Sequence, residues 1–120
     1  MAEHNKNGKL GEELAKEYLI KHEYKIVHTN WRTARYEVDI IAQKNDILVF
    51  CEVKYRSCSL FGEPESFVTK QKQKNIIKSA AIYIGQSPWH GEIRFDIISV
   101  LINKKKTKIN HIEDAYGCTW

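Results

Sequence analysis

The sequence has few cysteines and no long apolar run, and each shortage excludes a class of protein. Its three cysteines, Cys51, Cys58 and Cys118, are widely spaced, with no CxxC pair and no histidines at zinc-ligand spacing. This pattern predicts a reducing compartment. No stretch approaches about 18 consecutive apolar residues, and the first residues contain no apolar signal-peptide core, so we expect a cytoplasmic protein that does not enter a membrane.

Internal repeats, linkers and low-complexity segments are absent as well. The 120 residues, of which 42% are hydrophobic, fit a single domain spanning 1–120 with a modest core. A formal net charge of +4 is a mild excess that suits a polyanionic partner without identifying one.

Hydrophobic periodicity predicts the order helix, three strands, helix, two strands. Helices are expected at 9–21 and from a Thr69 cap to about residue 84, and strands at 24–31, 36–43, 47–55, 92–102 and 108–112. A loop rich in Ser, Gly and Pro is expected at 56–64, and a basic turn at 103–106. This order predicts an α/β fold with a mixed sheet flanked by helices.

The second and third strands carry the most informative side chains. A two-residue loop at Asn45 and Asp46 places Asp39 opposite Glu52. Opposed side chains lie roughly 4.5 to 5.5 Å apart at Cβ, where like charges destabilise a sheet, so we expect a hard divalent cation between them. Lys54 follows on the same face, where it is placed to orient or deprotonate an attacking water.

The alternative is a solvated ladder of ion pairs, which also includes Glu37 opposite Lys54. Apolar neighbours argue against it, because both faces of the hairpin carry them. One face has Val38, Ile40, Val49, Cys51 and Val53, and the other has Ile41, Leu48 and Phe50. Strands buried on both sides rarely carry three acids and a lysine for solubility alone. For Glu37, tuning of Lys54 and a structural ion pair stay open.

The first helix offers a further carboxylate to this cluster, from either Glu12 or Glu13. Glu12 lies at the edge of the predicted buried arc, whereas Glu13 shares its side with Lys9 and Lys16. We therefore choose Glu12, with an ordinary helix-surface acid as the alternative.

Basic and polar residues around the hairpin and at the start of the second helix are expected to bind nucleic acid. They are Arg32, Arg35, Arg56, Lys70, Lys72 and Gln73. Gln73 is expected to reach polar atoms of the sheet. The lysines at 70, 74 and 78 also suit a plain solvated helix face, and Trp31 suits the edge of the core. The five histidines show no ligand spacing, and we assign them no role.

Several motifs together carry a resemblance to a known family. They are Gly8-x-x-Gly11-Glu12, Glu37-Val38-Asp39, Glu52-Val53-Lys54, Phe61-Gly62-x-Pro64, Lys72-Gln73 and Arg94-Phe95-Asp96. In this order they resemble the YraN family of small bacterial proteins from end to end. That family is similar to the restriction-endonuclease-like superfamily and to archaeal Holliday junction resolvases. One departure is Tyr36, where the family pattern usually has glycine.

The resemblance implies an αβββαβ core and a metal-dependent endonuclease acting on branched or otherwise structured DNA. It implies Mg²⁺ or Mn²⁺ held by Asp39 and Glu52, with Glu12 as an additional acid and Lys54 as the catalytic lysine. A nucleic-acid-binding or partner-binding module without catalysis is the alternative. RNA as the substrate and a homodimer as the assembly also stay open.

Overall fold

The structure is a computed structural model that describes residues 2–33, 35–56, 68–102 and 106–117, with the side chains of 2–7 left undescribed. The elements, in order, are α1 (Ala2–Lys21), β1 (Lys25–Arg32), β2 (Glu37–Lys44), β3 (Ile47–Arg56), α2 (Lys70–Gln86), β4 (Glu92–Ile102) and β5 (Thr107–Tyr116). The predicted α/β class and order of elements are confirmed. The FGxP loop, most of the basic turn, Cys58 and Cys118 lie outside the described residues.

All five strands form one sheet in the order β1-β2-β3-β4-β5. β3 and β4 run parallel, with α2 between them in the chain, and the other neighbouring pairs are antiparallel. The sheet is therefore mixed, as expected. Among the described residues, no helix is both long and apolar enough to cross a membrane.

The sheet is covered on both faces, which agrees with the apolar residues on both sides of the hairpin. Ala15 and Leu19 of α1 pack in one apolar cluster with Cys51, and Ile76 of α2 packs in the other with Phe50. Cys51 is a free, fully buried thiol, as expected of a small core residue. Burial of this surface is the main force that holds the helices against the sheet.

The predicted register of the β2–β3 hairpin is confirmed. Ile40 pairs with Cys51 and Lys44 with Ile47, so Asn45 and Asp46 form the loop. Asn45 adopts a positive φ of 54°, which asparagine tolerates better than most residues. The register brings residue 39 to the level of residues 52 and 53.

One predicted face was wrong. Val38 packs in the α2-side cluster, whereas Ile40 packs in the α1-side cluster. Residues two apart share a face in a regular strand, so β2 departs from regular alternation between them. The paired residues of β2 and β3 end at Ile40 and Cys51, and Asp39 directs its carboxylate to the backbone of β3 instead. The hydrogen bond of this side chain lies at the irregular position, between Val38 and Ile40.

The close approach of α1 to β3 depends on Gly11. A Cβ at Gly11 would lie 3.1 Å from Tyr55 Cβ, closer than ordinary van der Waals contact. Gly11 precedes Glu12 and Tyr55 follows Lys54, so this contact brings the helical acid toward the end of the hairpin.

Helix α2 begins with a capped turn. Thr69 Oγ1 accepts a hydrogen bond from the Lys72 N–H at 3.1 Å, as expected of an N-cap threonine. Gln73 Nε2 donates to the Val68 carbonyl at 3.2 Å. The predicted contact of Gln73 with the sheet was therefore wrong, because its amide stabilises the start of the helix.

Candidate active site

Asp39 lies where the β2–β3 backbone pairing stops. Its Oδ2 accepts a hydrogen bond from the Val53 N–H at 2.8 Å, so the side chain replaces the missing main-chain acceptor. This bond fixes the carboxylate at the level of Glu52, whose charge acts directly on it. The hairpin thus places both predicted acids in one cluster.

Glu52 is almost fully buried, with 4% of its surface exposed. Two lysines approach its Oε1: Lys72 Nζ lies 2.9 Å away and Lys54 Nζ lies 4.0 Å away. The closer ammonium comes from the first turn of α2 and the other from β3 itself. The cation nearest to the acid pair is therefore a side chain of the protein, Lys72.

The electrostatics of Asp39 show the repulsion that the sequence predicts. Burial raises its pKa most, the Glu52 charge raises it further, and the Val53 hydrogen bond only partly opposes them. Together they raise the pKa of Asp39 from 3.8 to about 7. An acid shifted this far opposes folding when it is ionised, and such groups concentrate at functional sites.

Glu12 of α1 approaches the same cluster from the opposite helix layer. Burial raises its pKa, a hydrogen bond with Asn30 lowers it, and the charges of Glu37 and Glu52 raise it again, with a net increase. Glu13 is exposed and pairs with Lys16 at 3.9 Å. The charge of Glu52 therefore acts on Glu12, whereas Glu13 pairs with a lysine of its own helix.

An open cleft of about 220 Å³ lies beside the acid pair. Its walls carry both charges together with polar and aromatic groups, namely Arg35, Tyr36, Glu37, Asp39, Lys72, Asn75 and Ile76. Tyr36 donates its N–H to Thr33 Oγ1 at 3.1 Å and accepts from the Thr33 N–H at 2.9 Å. Tyr36 thus forms part of a small turn and of the cleft wall.

The predicted binding residues divide between the cleft and its surroundings. Arg35 and Lys72 line the cleft, Arg56 ends β3, and Lys70 is exposed at the start of α2. Arg32 is 74% exposed, and its Nε lies 2.7 Å from Glu37 Oε2. Glu37 thus pairs with Arg32 across β1 and β2, so the alternative of a structural ion pair holds, although with a different partner from Lys54.

A second buried acid, which sequence reasoning left without a role, contrasts with this cluster. Asp96 is fully buried and receives two bonds from Arg94, at 2.9 Å each, and one from the Asp114 N–H at 3.0 Å. His111 Nε2 lies 2.6 Å from Oδ2, and the Tyr18 hydroxyl lies 3.3 Å from Nδ1. Despite burial, the hydrogen bonds of His111 and Arg94 hold the pKa of Asp96 below its usual value.

Sequence reasoning missed this network because its members are far apart in the chain. The polar residues 113 and 114 also break the alternation that predicts a strand, yet β5 continues to Tyr116, which pairs with Phe95. Asp114 adopts a positive φ of 52° and turns its N–H toward Asp96. The Arg94-Phe95-Asp96 motif was the one available signal of the network.

Comparison with known proteins identifies the family. Residues 11–100 match the family described as "Uncharacterised protein family UPF0102". The chain belongs to UPF0102. A UPF0102 protein of Christiangramia forsetii is 47% identical over 116 residues, which cover 97% of this chain and 98% of the relative. Another, from Flavobacterium psychrophilum, is 48% identical with the same coverage, and one from Syntrophomonas wolfei is 44% identical over 110 residues, or 91% and 96%.

The range matched by UPF0102 contains the whole acid cluster. It includes Glu12, Asp39, Glu52 and Lys72, and it ends within β4, before His111. Family membership by itself names no reaction.

The donor set of this UPF0102 protein fits a hard divalent ion of the magnesium type. In the part of the chain that is described, no three His, Cys, Asp or Glu side chains converge as a ready metal-binding group. Mg²⁺, however, is usually held by one or two carboxylates together with water. Asp39 and Glu52 supply two carboxylates that repel each other, and a cation relieves that repulsion.

Proposed function

We propose that this UPF0102 protein is a metal-dependent endonuclease that hydrolyses phosphodiester bonds of branched or otherwise structured DNA. The observation on which the proposal rests is the position of Asp39, whose partly buried carboxylate lies near the Glu52 charge and lines an open, partly basic cleft. A buried acid that serves stability alone is satisfied by its neighbours, as Asp96 is. Asp39 is instead placed where it costs stability, which is typical of residues kept for chemistry.

The chain offers a distinct role for each group. Asp39 and Glu52 would hold Mg²⁺ or Mn²⁺, with the Val53 carbonyl as a further oxygen ligand. When bound, the ion would supply a Lewis acid for a phosphate oxygen and lower the pKa of the attacking water. Lys54 orients that water and offsets the charge that develops on the phosphate. Glu12 orients water or contributes to a second ion site.

Arg35 and Lys72 in the cleft, with Lys70 and Arg56 nearby, contact the phosphate backbone. The resemblance to the YraN family, and through it to restriction-endonuclease-like resolvases, supports DNA over RNA and structured DNA over simple duplex. The mild positive charge agrees with a polyanionic partner. The proposal includes a cytoplasmic location and leaves a homodimer open.

The test is a cleavage assay on duplex, single-stranded, flapped and four-way junction DNA, and on RNA, with Mg²⁺, Mn²⁺ or EDTA. We expect metal-dependent cleavage of structured DNA by the wild type and none by Asp39→Asn or Glu52→Gln. Asp46→Asn is the matched control, because Asp46 is exposed in the hairpin loop of the same strand pair. If the wild type cleaves no substrate with either metal, the nuclease proposal is wrong.

A non-catalytic nucleic-acid-binding module is the second candidate, and one observation favours it. Lys72 already supplies a cation 2.9 Å from Glu52, so the acid pair has a partner without any metal. Calorimetry separates the two candidates. A nuclease site binds Mn²⁺ and loses that binding in Asp39→Asn, whereas a binding module binds nucleic acid and shows no metal binding that this substitution abolishes.

A further inference from the structure

The position of Lys72 is unusual for a lysine at the start of a helix. The first turn of α2 contains no acidic residue, and its backbone N–H groups already give that end partial positive charge. A lysine there is disfavoured by the helix itself. Its ammonium is instead stabilised from outside the helix, by Glu52 on β3.

The two lysines of the cluster differ in their exposure and in the element that carries them. Lys54 is on the same strand as Glu52, has 25% of its side chain exposed and stays 4.0 Å from Oε1. Lys72 reaches across from α2, has 46% of its side chain exposed and lines the cleft. Its side chain therefore has open space on one side and the acid pair on the other.

Lys72 also acts on both acids. Its charge lowers the pKa of Asp39 while its ammonium pairs with Glu52. A single positive charge within reach of both carboxylates meets the same electrostatic need as a metal ion between them. The ammonium and a divalent ion therefore compete for the same negative potential.

We infer that Lys72 is a built-in counter-cation that holds the Asp39 and Glu52 pair until a divalent ion displaces it, after which its ammonium turns into the cleft toward a phosphate group. This inference rests on the proposed function, since it concerns the same acid pair. It assigns Lys72 two successive partners: Glu52 in the metal-free protein and a polynucleotide phosphate in the loaded one. Its role in binding is thus linked to metal occupancy.

The inference is tested with Lys72→Gln, which removes the charge and keeps the backbone N–H that Thr69 caps. Mn²⁺ affinity is measured by calorimetry without nucleic acid. We expect Lys72→Gln to bind Mn²⁺ roughly tenfold more tightly than the wild type, because a competing unit charge is removed. Lys72→Arg retains the charge and should stay close to the wild type, as should Lys74→Gln, which removes an exposed lysine of the same helix.

DNA affinity provides the second readout, with Ca²⁺ in place of Mg²⁺ so that binding is measured without turnover. Lys72→Gln should weaken DNA binding about threefold or more with Ca²⁺, yet change it less in EDTA, where Lys72 stays on Glu52. If Lys72→Gln does not fold, Lys72→Met and the charge-retaining Lys72→Arg replace it in the comparison.

The outcomes separate this inference from the proposed function. Equal or weaker Mn²⁺ binding by Lys72→Gln overturns the inference while the nuclease proposal stands. Tighter Mn²⁺ binding without cleavage of any nucleic acid supports the inference and overturns the nuclease proposal. Absence of Mn²⁺ binding in both the wild type and the variant overturns both.

Discussion

Replacement of Asp39 by asparagine should make the metal-free protein more stable at neutral pH. The carboxylate is partly buried near the Glu52 charge, and its pKa rises from 3.8 to about 7 on folding. At a pH between these two pKa values, the native state therefore keeps a proton on Asp39 that the unfolded state has already released. By linkage, the stability of the wild type falls as pH rises through this window. Asparagine carries no charge, so the stability of the variant does not fall in this way as pH rises.

The magnitude follows from the pKa shift. At about 1.4 kcal/mol for each pKa unit, the shift of Asp39 corresponds to at most about 4 kcal/mol above pH 7. Asparagine still accepts the Val53 N–H, so the substitution removes charge and keeps that hydrogen bond. Since Lys72 also loses part of its attraction, we expect a net gain of about 1 to 3 kcal/mol, or roughly 3 to 12 °C in Tm.

The assay is urea unfolding in EDTA at pH 4, 6 and 8. The difference between Asp39→Asn and the wild type should be near zero at pH 4 and largest at pH 8. Asp96→Asn is the control, because that acid is also on a strand of the sheet and is fully buried, yet its pKa is lowered. Its contribution is present above the unfolded-state pKa and is lost as pH falls through the folded-state pKa. Asp96→Asn should therefore destabilise at pH 8 by about 3 kcal/mol, since it leaves Arg94 poorly paired.

Addition of divalent metal should reverse the order of stability, so that the wild type becomes more stable than Asp39→Asn. Mn²⁺ stabilises a protein that binds it by RT ln(1 + [L]/Kd), about 2.7 kcal/mol at one hundred times Kd. The wild type should gain this stability and Asp39→Asn should not. The reasoning is refuted if Asp39→Asn is less stable than the wild type in EDTA at pH 8, because the ionised Asp39 carboxylate then does not oppose folding.

Three further predictions concern neighbouring residues. Lys54→Ala should reduce turnover at least 100-fold and leave DNA affinity within about threefold, and a loss of affinity equal to the loss of turnover would contradict its role in chemistry. Glu12→Gln should alter metal dependence in the cleavage assay, whereas Glu13→Gln should match the wild type; equal effects would show that helix position is irrelevant. Gly11→Ala should lower cleavage more than it lowers stability, because a Cβ 3.1 Å from Tyr55 Cβ pushes α1 and Glu12 away from the hairpin.

The sequence was sufficient for the fold where the signals were local. A two-residue loop and apolar residues on both faces predicted the hairpin register, and Thr69 predicted the start of α2. The strand ends were harder to predict. β5 extends beyond residue 112 because Asp114 donates its N–H to Asp96, a contact between distant residues that periodicity does not record.

For the candidate site, too, local sequence signals predicted the positions of residues better than their partners. Strand register alone brought Asp39 and Glu52 together, and helical phase favoured Glu12 over Glu13. The ion-pair partners of the charged residues were harder to predict from the sequence, because the long side chain of a lysine or glutamate reaches several neighbours from one backbone position. Glu37 pairs with Arg32 on β1 and not with Lys54, because β1 lies beside β2 at that point.

Asp96 and Asp39 illustrate how structure separates stability from function. Asp96 has hydrogen bonds that favour its charge, while Asp39 has one such bond and an opposing carboxylate. Both are acids on strands in this chain, and their sequence contexts do not distinguish them. The difference arises from what the fold places around each one. Asp96 is surrounded by hydrogen-bond donors of the protein. Asp39 instead lines a cleft, with Lys72 as its nearby cation. The cleft has room for an external ligand that could replace the Lys72 ammonium.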